Sequence, residues 1–194
     1  MKNFKLTPET SYLIAVICGD GTIYKKEKKE YTIAITDKDK KFHENVLKPL
    51  IEENLNIKPS IKPMKNRNSW ATVIRSKDFL EILTNSFGLL IGKNKTYVGS
   101  IPSQIFDSNL ETILWHIAGW IDSEGSSKIK TYSTKYGSTK PILLKRKYRI
   151  NQKQRYGISW NGIKKCSALL NYMKHPQKRE NLKNKIFAAS GRPI

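Results

Sequence analysis

The chain has 194 residues, 38% of them hydrophobic, enough to bury a core as one domain or as two fused half-domains. Lys and Arg total 36 against 16 Asp and Glu, a net charge of +20 with a pI near 9.9, so a polyanion is the expected partner. The two isolated cysteines and three isolated histidines give neither a disulfide framework nor a zinc spacing. No apolar run reaches the roughly 18 residues of a membrane span and the first residues lack a signal-peptide pattern, so the expectation is a soluble intracellular protein of a cytoplasm, nucleoid or organelle matrix.

The first predicted helix begins at Thr7, whose hydroxyl can cap it, with Pro8 where a missing N–H costs nothing. It runs through Leu13-Ile14-Ala15-Val16-Ile17-Cys18-Gly19-Asp20 and stops at Gly21. Residues 22–26 read as a strand, and a polar turn leads to residues 31–37. There Ile33 and Ile35 alternate with Thr32, Ala34 and Thr36, which predicts one buried face and one available face. Residues 38–55 have helical period, with Phe42, Val46, Leu47, Leu50 and Ile51 on one side and Pro49 expected to kink or split them. Residues 60–65 and 69–75 form a predicted hairpin around Asn66-Arg67-Asn68, its first strand placed at an edge by Pro63. Residues 77–87 read as a helix that turns Phe79, Leu80, Ile82, Leu83 and Phe87 inward.

A connection within residues 90–107, with Gly92, Gly99 and Pro102, carries the chain back. Ser108 and Glu111 then suit a capping box for a second apolar helix, which ends Ile117-Ala118-Gly119-Trp120-Ile121-Asp122-Ser123-Glu124-Gly125. Residues 127–136, 142–150 and 156–160 look like strands. Ile163, Cys166, Leu169, Leu170 and Met173 mark a helix, and a basic helix follows from Pro176 with Leu182, Ile186 and Phe187 as its apolar side. The two cysteines and Trp70, Trp115, Trp120 and Trp160 read as packing residues. From Gly125 through Arg179 there are 15 Lys and Arg and no acid, a stretch better read as tracking phosphates than as an ordinary mixed surface.

The two apolar helices share a pattern: small residues four apart, Ala15 with Gly19 and Gly119 with Ser123, then an acid and a glycine. Small residues on one helix face let another backbone come close, so the two helices are expected to pack side by side in parallel. Asp20 and Glu124 would then meet. Paired carboxylates repel, and both would sit at the negative ends of helix dipoles. A shared hard cation such as Mg²⁺ resolves both problems; the alternative is that each acid only ends its helix and faces water.

On these residues the chain resembles the LAGLIDADG homing endonucleases of the single-chain, two-motif kind. The resemblance implies an α+β fold of two pseudo-symmetric αββαββα-like halves, residues 1–95 and 108–194, joined by a linker at 96–107. The motif helices would lie at the interface and saddle-shaped antiparallel sheets against DNA. The second half departs from the pattern, with no clear counterpart of the middle helix.

The resemblance further implies a monomeric, intron-encoded enzyme that makes a staggered double-strand break at a long asymmetric site, using Mg²⁺ or, in its place, Mn²⁺. Asp20 and Glu124 take the family's acidic position, and the carbonyls of Gly19 and Ser123 its metal-binding backbone position. Lys128 is the candidate for a basic group that organises water, with Gln152 or Gln154 as alternatives. Asp37 falls where a polar helper would sit, or merely caps the next helix. Base and phosphate contacts are expected from Tyr24, Lys26, Thr32, Thr36, Lys62, Arg75, Lys130, Lys147 and Arg149, although a one-residue register slip would invert every face. Two other readings stay open: a splicing maturase that binds its own intron RNA, and a non-catalytic DNA-binding regulator.

Overall fold

The computed structural model describes residues 4–26, 30–65, 67–92, 101–124 and 163–190; the side chains of Lys26, Glu30, Glu124, 163–166 and 188–190 are outside that description. The strands predicted at 127–136, 142–150 and 156–160, and the residues Gly125, Lys128, Lys130, Lys147, Arg149, Gln152, Gln154 and Trp160, lie outside the described residues.

Helix α1 (Pro8–Asp20) starts as predicted. The Thr10 N–H donates to Thr7 Oγ1, and the Thr7 N–H donates to Thr10 Oγ1 at 2.8 Å, so two orphan donors are satisfied reciprocally. Residues 10–17 are all buried, which makes α1 a central helix with no solvent face. At its end, Gly21 is extended (φ −82°, ψ 153°), so left-handed freedom is not why glycine stands there. An added Cβ would lie 2.5 Å from the Ile17 carbonyl oxygen, and only glycine lets the helix turn at once into β1 (Gly21–Lys26).

β1 pairs with β2 (Glu30–Asp37), β2 with β4 (Trp70–Arg75) and β4 with β3 (Ser60–Pro63), all antiparallel. The sheet order β1-β2-β4-β3 puts β3 at the edge, as Pro63 requires. Ile23, Ile33 and Ile74 are register partners and fully buried, which defines the core face.

Behind that face, residues 40–55 form one interrupted helix. α2 (Lys40–Phe42) passes through a wide π-type turn at His43–Leu47 into α3 (Lys48–Leu55). In that turn the Lys48 N–H reaches back five residues to His43 O, just before Pro49, which has no N–H to offer. Pro49 thus widens the helix rather than breaking it. α4 (Lys77–Glu81), capped by Ser76, continues through a similar turn at Ile82–Ser86 and buries Phe79, Leu80 and Leu83.

The connection holds an unpredicted short helix, α5 (Ser103–Phe106), anchored by buried Ile105. This corrects the expected cap of α6 (Leu110–Glu124). The Ser108 hydroxyl donates to Ile105 O at 2.6 Å and so closes α5, while Asn109 Oδ1 accepts the Thr112 N–H at 2.8 Å and opens α6. Helix α7 (Ile163–Leu170) and helix α8 (Pro176–Ser190) close the described chain. Leu169, Leu170, Met173 and Ile186 join the same apolar cluster as α1 and the sheet. Phe187, expected on the apolar side of α8, is instead 49% exposed, because Ile186 takes the inward position beside it. No helix among the described residues is long and apolar enough to cross a membrane.

Candidate active site

The motif helices α1 and α6 lie against each other as the small residues require. A Cβ on Gly119 would stand 2.6 Å from Tyr12 O and 2.9 Å from Ala15 Cβ, so no larger residue fits this backbone separation. The pairing is parallel, since Ser11 and Thr112 meet near the two starts and Asp20 and Ser123, near the two ends, line one cleft. Near the start, Ser11 Oγ donates to Thr112 O at 3.0 Å and His116 Nδ1 lies 3.0 Å from Ser11 O; further on Tyr12 meets Gly119, and the Tyr12 hydroxyl donates to Asp122 Oδ2 at 2.7 Å.

His116 is buried as a neutral ring. Its Nδ1 must donate to the Ser11 carbonyl, and its Nε2 accepts the Trp120 indole N–H at 3.2 Å. Burial lowers its pKa from 6.5 to about 4, despite the Ser11 bond that opposes the shift. The three histidines, isolated in sequence, are thus seam and core residues: His43 Nδ1 pairs with Thr72 Oγ1 at 2.7 Å, and His175 stacks on Phe42 with ring centroids 4.5 Å apart.

At their C-terminal ends the motif helices open into one cleft of about 730 Å³. Asp20 and Ser123 line it from the two helices, Thr36, Asp37 and Lys38 from the end of β2, Arg67, Asn68 and Ser69 from the hairpin turn, and His175, Gln177 and Lys178 from the start of α8. Glu124 is the last residue of α6, one position past Ser123; its side chain is outside the described residues. Among the described residues no three His, Cys, Asp or Glu side chains converge as a metal cage.

The second motif carries a residue that sequence reasoning did not single out. Asp122 is fully buried, and its Oδ2 accepts from the Tyr12 hydroxyl, the Lys174 N–H at 2.7 Å and the His175 N–H at 2.9 Å. Burial pushes this carboxyl up, against the hydroxyl and amides that favour its charge. Burial likewise raises Tyr12 well above the usual tyrosine value, and the Asp122 charge and hydrogen bond add to it, so Tyr12 stays the donor. Asp122 therefore ties α1, α6 and the turn into α8 together.

A second tie crosses the cleft, where His175 Nε2 lies 3.5 Å from Asp37 Oδ1. Burial alone would raise the Asp37 carboxyl. The His175 hydrogen bond, the Asp39 amide and the charges of His175 and Lys178 outweigh it and hold Asp37 below its ordinary value. Asp39, not Asp37, caps α2, by accepting the Lys41 N–H; Asp37 accepts the Asp39 N–H at 2.7 Å.

Residues 7–88 match the profile of the LAGLIDADG-like domain. Solved structures similar to the chain include the homing endonuclease I-DmoI in complex with DNA and Mn, 21% identical, covering 61% of this chain and 63% of that one with a TM-score of 0.44. Another is I-DmoI in complex with DNA and Ca, 22% identical over 62% of this chain and 59% of that one, TM-score 0.45. Mesophilic variants of I-DmoI match at 22% over 61% and 58%, TM-score 0.44. The alignments span less than two thirds of those chains. No curated protein matches this sequence.

Within residues 7–88, strand register decides which side chains share a face. Tyr24, Thr32 and Arg75 are successive partners across three strands, and Thr36, Ala71 and Lys62 are partners across β2, β4 and β3. Each row alternates with the buried isoleucines, so Tyr24, Thr32, Thr36, Lys62 and Arg75 share the face opposite the core. Tyr24, Lys62 and Arg75 are exposed, Thr32 and Thr36 half-buried. Lys26 stands opposite Glu30 at the far end of the β1–β2 ladder. Missed from sequence were Tyr12, Asp122, His175 and Lys178. For Asp122 the one available signal was its place inside the second motif, where an acid in an apolar helix has to find a partner.

Proposed function

We propose that the chain is a site-specific, divalent-metal-dependent DNA endonuclease of the single-chain, two-motif LAGLIDADG kind, with residues 1–95 and 108–194 as its halves and 96–107 as the linker. The observation that carries this reading is the paired motif helices, in glycine-tight parallel contact, whose ends open into one cleft edged by Asp20 and Ser123. Lys38 and Arg67 border the same cleft and suit phosphates, and the polar sheet face begins beside it at Thr36.

In this reading Asp20 and Glu124, with the carbonyls of Gly19 and Ser123, hold Mg²⁺, and Mn²⁺ can replace it. A divalent metal held by these residues would supply charge neutralisation at a scissile phosphate and a lowered pKa for an attacking water. The Asp20 carboxylate in the cleft suits a hard cation; the Ser123 carbonyl already accepts a hydrogen bond from Lys178. Lys128 would help orient water. Tyr24, Lys26, Thr32, Thr36, Lys62 and Arg75, and in the second half Lys130, Lys147 and Arg149, would lie along double-stranded DNA, the arginines as base readers and the lysines mostly on phosphate. One acid serves each strand, so a monomer makes a double-strand break.

The test is selection of cut sites from a random duplex library in Mg²⁺, followed by the selected site with Asp20→Asn and Glu124→Gln. Each variant is expected to lose cleavage by about 10³-fold or more while still binding the duplex. Unchanged cutting by either variant, or binding with no cutting by the native chain, overturns the reading.

A further inference from the structure

Lys178 lies in the first turn of α8 and reaches back to the C-terminal end of α6. Its Nζ donates to Asp122 O at 2.5 Å and to Ser123 O at 2.6 Å. Two backbone carbonyls at the negative end of a helix make a cation site, and an ammonium fills it. The placement is built rather than incidental. The Asp122 carboxylate holds the Lys174 and His175 amides, and so fixes the turn that launches α8. His175 is itself fixed by its stack on Phe42 and its pairing with Asp37. The Lys178 stem is half-buried and lines the cleft that Asp20 lines from the other side.

We propose that Lys178 is a tethered cation that competes with a divalent metal for the backbone carbonyl of Ser123, so that metal enters the second motif only by displacing this side chain. The inference rests on the metal-dependent reading above and adds a residue to it. An ammonium and a divalent ion sharing one carbonyl oxygen would stand within a few ångströms of each other, and in a half-buried cleft their repulsion is large. The flexible four-carbon stem of lysine lets the head group leave without moving α8. A phosphate arriving in the cleft gives the ammonium another partner, so nucleic acid and metal should bind synergistically.

The experiment is calorimetric titration of Mn²⁺ into the full chain without nucleic acid, with thermal melting to confirm that each variant folds. Lys178→Met is expected to bind Mn²⁺ about tenfold tighter or better, the order expected for removing one charge at close range. Lys178→Gln should give the same gain, since its amide can still donate to the carbonyl but carries no charge. Lys178→Arg should stay near the native value, and Glu124→Gln placed on Lys178→Met should erase the gain. If neither uncharged variant binds Mn²⁺ more tightly, the proposal is overturned. If native binding is nonetheless lost in Asp20→Asn, the nuclease reading stands and Lys178 alone is misassigned; if no variant binds Mn²⁺, both fall together.

Discussion

The ends of the two motif helices carry the same pattern of small residue, acid and glycine, yet the fold finishes them differently. α1 ends on Gly21 and turns directly into β1, with no room for a side chain over the Ile17 carbonyl. α6 ends under an element from elsewhere: the turn into α8 binds the Asp122 carboxylate, and Lys178 covers the carbonyls of Asp122 and Ser123. A repeated motif therefore specifies a repeated helix and a repeated contact face. It does not specify a symmetric site, because a helix C-terminus is completed by whatever element arrives there.

Substitution at the seam should disturb both helix ends together, and substitution at Asp122 the end of α6 alone. Gly119→Val should act on both ends at once. Its side chain would have to move a backbone carbonyl of α1, so a loss of about 4 kcal/mol in denaturant unfolding is expected, above the usual range for overpacking. Asp122→Ala should act on the second end alone. It leaves the Tyr12 hydroxyl and two amides without their buried acceptor, which should cost about 3 kcal/mol. Hydrogen exchange should then show faster opening of the turn at residues 173–176 than of α1; equal opening of both would mean that the two ends are not independently finished.

The mildest perturbation is acid. His116 has a folded pKa of about 4 against an ordinary 6.5, so below pH 6.5 the unfolded chain takes up a proton that the folded chain refuses. The stability contributed by neutral His116 is complete above pH 6.5 and declines as pH falls toward 4, by about 1 kcal/mol at pH 5.5. Melting temperatures measured from pH 7 to pH 5, with His116→Asn as the comparison, should show a slope that this variant flattens.

Much of the first half was legible because each of its elements announces itself locally. Thr7 and Pro8 mark a helix start, alternation around Ile33 and Ile35 marks a strand, Pro63 marks an edge, and small residues four apart mark a close helix contact. Those signals depend only on backbone chemistry and period. Local signals also misled where an unforeseen neighbour claimed the residue, as when α5 took Ser108 and left Asn109 to cap α6.

By itself the sequence determined the motif helices, the identity of their terminal acids and the excess of positive charge. Only the tertiary structure decided which strand residues share the outer face, since an antiparallel ladder with a two-residue period inverts on a single slip. It alone also decided that Asp122 is a hub and Lys178 a cap. Their partners lie 110 residues before Asp122, in the Tyr12 hydroxyl, and 55 residues before Lys178, in the Ser123 carbonyl. Pairings at such separations arise from packing, and local propensity carries no trace of them.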